Sequence, residues 1–225
     1  MSYLQLVVFD MAGTAIDEQN AVYKAIHQAL EEAGYDCSLE LVLEIAAGKE
    51  KRQAITDVLT HLIDDEPFDT MIDAIHEDFK QKLDVVYASG IARAMPDAVE
   101  VFEALRQKNI KVALNTGYSR EVATLLMGQL GWSVPQIVDA LVTASDVTRG
   151  RPNPDMILEA MRLVGVSDPK AVAKIGDSAI DIEEGHNAGC GLVAGVLTGA
   201  QTRTQLATAQ PTHIFENLTE LLGLI

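Results

Sequence analysis

Two cysteines in 225 residues, Cys37 and Cys190, leave no disulfide framework and no metal-ligand spacing to read. Their scarcity suits a reducing compartment, and both read as inert thiols. Basic residues are also scarce: 17 Lys and Arg stand against 33 Asp and Glu, for a formal charge of -16. Such a surface excludes general binding to nucleic acid or anionic membrane, so any phosphate site has to be locally basic on an acidic body. Long hydrophobic runs are missing too. No apolar stretch approaches the ~20 residues that a membrane helix requires. The N-terminus, MSYLQLVVFD, has neither a basic leader nor an apolar segment of signal-peptide length. The expectation is a soluble cytoplasmic protein. The five histidines, His27, His61, His76, His186 and His213, are scattered without metal spacing and receive no role.

What is present is a hydrophobic fraction of 48%, enough for a sizeable core or for a core with a smaller companion. The stretch Leu4 to Thr14 reads LQLVVFDMAGT. Its β-branched and aromatic run predicts a buried strand, with Asp10 at the carboxyl end and a flexible turn of Met11, Ala12, Gly13 and Thr14 behind it. Ligands of open α/β sheets bind at such strand ends. An aspartate there is also ordinary turn chemistry, so it needs partners before it carries function.

After Thr14 apolar residues recur at helical spacing through Val22 to Leu30, Leu39 to Ile45, Ala54 to Leu62 and Phe68 to Leu83. This predicts a unit of four or five helices over roughly 16–88, without a strand, broken at Gly34, Gly48 and Pro67. Ser89-Gly90 reads as the return hinge. From Met95 onward strands and helices alternate. Pro96 fits the first turn of a helix, followed by a strand at Ile110 to Leu114, a helix at Glu121 to Leu130 and a strand at Ala140 to Thr143. A helix at Pro154 to Leu163, a strand at Ala171 to Ile175, a helix at Ile180 to Ala188 and a strand at Gly191 to Val196 come next. The last elements are a short strand at His213 to Phe215 and a closing helix at Leu218 to Leu222. The fold class is α/β: a doubly wound parallel sheet over 1–15 and 89–225, with an all-helical unit inserted at 16–88.

Four loops at strand ends offer groups suited to phosphoryl transfer. They are Asp10 to Thr14; Asn115-Thr116-Gly117-Tyr118-Ser119-Arg120, with a hydroxyl and amides near a helix start; Arg149-Gly150-Arg151-Pro152; and Gly176-Asp177-Ser178-Ala179-Ile180-Asp181. Each alone is common turn and cap chemistry. Together, in this order, they resemble the haloacid dehalogenase superfamily of aspartate-nucleophile hydrolases across essentially the whole chain. The resemblance implies a Rossmann-like core, a helical cap domain over the active site, and a magnesium ion held by Asp10, the Ala12 carbonyl and Asp177, with Asp181 orienting the shell. Magnesium favours such oxygen ligands. It also implies that Asp10 attacks phosphorus to form an aspartyl phosphate, while Thr116 and Arg151 hold the remaining oxygens.

Most superfamily phosphatases carry Asp-x-Asp where this chain has Asp10-Met11-Ala12, and the second aspartate is their general acid and base. The string Asp-x-Ala-Gly-Thr, Arg151 in place of the usual lysine, and Thr116 to Glu121 instead resemble the phosphonoacetaldehyde hydrolase, or phosphonatase, branch. That family cleaves a carbon–phosphorus bond by condensing a cap lysine with the substrate aldehyde. Ala47-Gly48-Lys49-Glu50-Lys51-Arg52 stands at the matching place, and counting from Gly48 gives Lys51 as the Schiff-base residue, with Lys49 as the neighbouring candidate. Lys49 and Arg52 would favour its neutral amine if they face it. Gly48, Lys49, Gly117 and Tyr118 are expected to line the substrate. The chain departs from the family at Ala54, Ala47 and Met11, where a histidine, a methionine and a tryptophan are expected. These departures leave open a phosphate monoester phosphatase that uses another acid, and a phosphometabolite-binding protein of weak activity. The expected partner is a small phosphonate or phosphorylated substrate, acting on a monomer or homodimer.

Overall fold

The computed structural model describes residues 4–63 and 67–225. Its centre is a six-stranded sheet of β1 (Leu6–Asp10), β4 (Lys111–Thr116), β5 (Ala140–Thr143), β6 (Val172–Gly176), β7 (Leu192–Val196) and β8 (His213–Phe215). They run in the order β5-β4-β1-β6-β7-β8, and every pairing is parallel. A parallel sheet of this kind is buried on both faces, and β1 shows how. Val7 and Phe9 join the core on one side, while Leu6 and Val8 join that on the other, all without exposed surface.

Helices α5 (Ala98–Gln107) and α6 (Arg120–Gln129) supply the first face, and α7 (Asp155–Val164), α8 (Ala179–Asn187) and α9 (Arg203–Thr208) the second. Strand β1 pairs with β4 on one side and β6 on the other, so the direction of winding reverses beside it. That is the switch point at which such sheets bind ligands.

Between β1 and β4 the chain builds four helices, α1 (Ala21–Glu32), α2 (Leu39–Ala46), α3 (Lys51–Leu62) and α4 (Asp69–Ala88). Their apolar stripes, including Val22, Ile26, Leu30, Val42, Ile55, Leu59, Ile75 and Phe79, are buried together. The expected breaks fall between helices, with Gly34 and Gly48 at φ +91° and +73°, a backbone that favours glycine. Among the described residues, no helix is long and apolar enough to cross a membrane.

Several local expectations need correction. The stretch read as free of strands begins with β2 (Ile16–Asp17), which pairs antiparallel with β3 (Arg93–Ala94) where the chain leaves and re-enters the sheet. Two residues are too few for a period to show. Pro96 lies outside its helix, because Asp97 is already the N-cap of α5. Helix α9 went unread, being six residues with one buried side chain, Leu206. The closing element is a 3-10 helix, Leu218–Leu224. Both thiols are free, and burial pushes that of Cys190 up to about 12.

Phe102 ties the first face together, its ring 5.1 Å from Phe9 and 5.6 Å from Trp132. Truncating it leaves a cavity under β1. Phe102→Ala should destabilise the protein by about 3–5 kcal/mol in urea unfolding. A loss under about 1 kcal/mol would show that the face collapses around the gap.

Candidate active site

The carboxyl ends of β1, β4 and β6 bring Asp10, Thr116 and Asp177 to one edge of the sheet. Asp10 ends β1 in register with Asn115 of β4 and is buried. Asp177 follows β6, and Asp181 lies in the first turn of α8, where the helix dipole favours a negative charge. One oxygen from each of Asp10, Asp177 and Asp181 lies within 4.8 Å of the others.

Arg151 reaches into this group from the loop before α7. Its Nη2 is 2.8 Å from Asp10 Oδ1, its Nη1 3.1 Å from Asp181 Oδ1 and its Nε 3.0 Å from Glu184 Oε2. Nη2 also donates to the Asn115 carbonyl and side-chain oxygens, at 3.0 and 2.7 Å. Below it Lys174, without exposed surface, donates to Asn115 Oδ1 at 2.7 Å and lies 2.9 Å from Asp181 and 3.4 Å from Glu184. Asn115 Nδ2 donates to both Glu184 oxygens. Lys174, Asn115 and Glu184 were not assigned from sequence. The signals were a lysine inside the apolar strand VAKIG, and a glutamate one helical turn beyond Asp181.

Four buried carboxylates, Asp10, Asp177, Asp181 and Glu184, thus face two buried cations, Arg151 and Lys174. The imbalance appears in their pKa values. Burial raises Asp10, though Arg151 works against it. Burial, then the Asp10 and Asp181 charges, raise Asp177 well above the carboxylate range. Burial also pushes Asp181 up, but Arg151 and Lys174 together outweigh it and hold this group low. A divalent cation at the Asp10–Asp177–Asp181 oxygens would bring the whole cluster to neutrality. The all-oxygen donor set is the kind a hard cation takes, so the residues fit magnesium.

A fifth loop, unassigned from sequence, secures these groups. Ala200 N donates to Asp177 Oδ2 at 2.6 Å, Thr198 Oγ1 to the Gly13 carbonyl at 2.6 Å, and Ala179 N to Gln201 Oε1 at 2.7 Å. Gly13 and Gly199 both press on Asp177, where a Cβ at either would overlap the carboxylate. Ser178 donates to Asp181 Oδ2. Ala12 bridges to Ile16 in the turn beside Asp10, presenting a methyl rather than an acid. Thr116 is buried, and its Oγ1 accepts from Tyr118 N at 3.2 Å.

The helical unit meets this edge at Gly48. A Cβ there would overlap Ile180 and crowd Ser178, and one on Gly117 would lie 3.9 Å from the carbonyls of Gly48 and Lys49. Lys51 is the first residue of α3, capped by Glu50. Its Nζ donates to the Lys49 carbonyl at 2.8 Å and stands 5.9 Å from the Tyr23 ring and 5.7 Å from the Tyr118 ring, one from each side of the junction. Burial lowers its amine from the usual lysine value, with Asp10 opposing. Lys49 and Arg52 do not produce that effect. Lys49 is held by Asp57 at 2.5 Å, and Arg52 turns outward to Asp69 and Asp73.

A model of the haloacid dehalogenase-like hydrolases matches residues 4–189. A phosphonoacetaldehyde hydrolase of Vibrio vulnificus strain YJ016 is 33% identical over 214 residues, 88% of this chain and 76% of that one. One from Paraburkholderia phytofirmans is 28% identical over 213 residues, 88% of this chain and 77% of that one. Among solved structures, a phosphonoacetaldehyde hydrolase-like protein from Oleispira antarctica superposes with a TM-score of 0.83 at 22% identity, covering 98% of this chain and 91% of that one. That likeness concerns the fold. The chain belongs to the haloacid dehalogenase-like hydrolases, in their phosphonoacetaldehyde hydrolase-like branch.

Proposed function

We propose that the protein is a magnesium-dependent phosphonatase-like hydrolase that cleaves the carbon–phosphorus bond of phosphonoacetaldehyde or a related small phosphonate. In this reading residues 1–15 and 89–225 are the catalytic core, and 16–88 are a cap that closes over it. Asp10 is the nucleophile and Arg151 holds its carboxylate in one orientation through Oδ1. Arg151 already makes five contacts to protein groups, so its main work is to orient Asp10 and Asp181, with little donor capacity left for substrate. Thr116 and the amide of Gly117 take phosphonyl oxygens, while the Tyr118 amide holds the Thr116 hydroxyl in place. When bound between Asp10, the Ala12 carbonyl and Asp177, with Asp181 orienting the set, magnesium supplies positive charge against the repulsion of two anions.

The observation that carries this reading is Lys51, an amine whose proton affinity is lowered, next to a nucleophile that has no acid at position 12. A leaving oxygen needs such an acid; a leaving carbon does not. The leaving carbon needs an electron sink, which a lysine imine at the adjacent carbonyl provides. Tyr118 and Gly48 shape the space around that amine. Lys49 has its ammonium paired with Asp57, and its carbonyl accepts from the Lys51 amine.

A phosphate-release screen over phosphonates and phosphate esters, with and without magnesium, tests the reading broadly. Asp10→Asn should abolish turnover in a folded protein, and Asp177→Asn should weaken magnesium binding; retained activity in Asp10→Asn sinks the aspartyl-phosphate route. Phosphate monoesters should be slow substrates, and Ala12→Asp should raise their rate, because a positioned proton donor is typically worth ~10²–10⁴-fold. Rapid wild-type hydrolysis of a simple sugar phosphate would favour the phosphatase alternative. Borohydride with phosphonoacetaldehyde should trap an adduct on Lys51. Lys51→Arg should lose both adduct and cleavage, since a guanidinium keeps the charge but forms no imine. Trapping on Lys49 would move the assignment by two residues.

A further inference from the structure

A buried phenol at the junction has no part in the chemistry so far. Tyr23 lies on the buried face of α1, 8% exposed, and its ring centroid is 5.9 Å from Lys51 Nζ. Its oxygen accepts from the Gly48 backbone N–H at 3.4 Å, and among the described residues no group accepts its own proton. Gly48 is where the helical unit meets the catalytic edge. A Cβ on it would fall 2.0 Å from Ile180 Cγ2 and 2.5 Å from Ser178 Oγ, and Ser178 directly follows Asp177 in the chain. The phenol therefore spans the seam: its ring lies against the amine, and its oxygen lies at the backbone that touches the Asp177 loop.

The substrate carbonyl has to sit in that gap, because its carbon must meet Lys51 while phosphorus, one carbon further along, meets Asp10. Attack by the amine puts negative charge on the carbonyl oxygen, and a buried site has to answer that charge with a fixed donor. Neighbouring groups are committed elsewhere. Asp10 is held by Arg151, Lys49 is paired with Asp57, and Glu50 caps α3 by accepting from Arg52 N and Gln53 N. Position 12, beside the nucleophile, carries a methyl. Burial, then the Asp177 charge, raises the Tyr23 hydroxyl well above the usual phenol value, so it keeps its proton; the Gly48 N–H works against them, since it favours the phenolate.

We propose that Tyr23 is a catalytic residue that donates its phenolic proton to the substrate carbonyl oxygen as Lys51 adds. The proposal rests on the Lys51 role given above. A C–N bond forms between the neutral amine and the carbonyl carbon, the C=O π pair moves to oxygen, and that oxygen takes the Tyr23 proton. The nitrogen, now an ammonium, gives a proton back to the phenolate, which the Gly48 N–H stabilises in the interval. The sum is amine plus aldehyde giving a carbinolamine, with the tyrosine restored and no redox change.

The test follows the rate of borohydride-trapped adduct on Lys51 after mixing whole enzyme, magnesium and phosphonoacetaldehyde, in wild type and Tyr23→Phe. Inorganic phosphate binding and the unfolding midpoint are measured alongside. Phenylalanine keeps the ring against Lys51 and removes only the hydroxyl. Adduct formation should slow by about 10²-fold, the usual effect of losing one fixed donor to a developing oxyanion, while phosphate binding stays unchanged. Trapping at the wild-type rate in Tyr23→Phe overturns the proposal. So does slow trapping in which phosphate binding is lost or the midpoint collapses, which would mark the hydroxyl as a structural holder of the Gly48 loop. If wild type itself gives no adduct although phosphate binds, the Lys51 reading fails first and this proposal with it.

Discussion

The ion pair between Arg151 and Asp10 is the contact on which the rest of the molecule depends. It joins the loop before α7 to the end of β1, and it is buried on both sides. Around it Asp181, Glu184, Lys174 and Asn115 draw groups from α8, β6 and β4 into one hydrogen-bonded body. Such a cluster adds little net stability against an apolar core of the same volume, yet removal of one partner costs ~3–5 kcal/mol, because a charge is left buried and unpaired. Its value is orientation. The arrangement holds one Asp10 oxygen and leaves the cluster short of positive charge, and the shortfall explains why burial lifts Asp177 so far.

The helical unit addresses the same edge with different chemistry. Gly48 lets its backbone settle against Ser178 and Ile180, a contact that any side chain would prevent. That approach brings Lys51 between two tyrosines, one from each part of the chain. The methyl at Ala12 and the amine at Lys51 belong to one argument. On the proposed reading the core loop lacks a proton donor, and the helical unit offers an amine that would make carbon, rather than oxygen, able to leave.

The sheet was legible in the sequence because its strands are short apolar runs with clear stops. Ala140–Thr143 and His213–Phe215 fall where the pattern put them. The carboxylates and Arg151 were legible because chemistry at strand ends concentrates in short motifs. The rest was hidden for identifiable reasons. Lys174 reads as an oddity in an apolar strand until Glu184 and Asp181 are seen beside it in space. The ribbon at Ile16–Asp17 is too short to show a period. Tyr23 sits in a helical stretch, and its place against Lys51 depends on packing that the period does not show. The field at Lys51 depends on which way its neighbours turn: Lys49 and Arg52 turn to partners of their own, and burial sets the amine instead.

The central claim, that the buried cluster makes Asp10 the nucleophile, is tested most directly by acid-quenching the enzyme during turnover of phosphonoacetaldehyde with magnesium and mapping any phosphoryl group by mass spectrometry. A phosphoryl group on the peptide carrying Asp10, formed and lost at the turnover rate, is the predicted result. Turnover with no phosphoryl group on Asp10 at any quench time, or with one on a different residue, contradicts it.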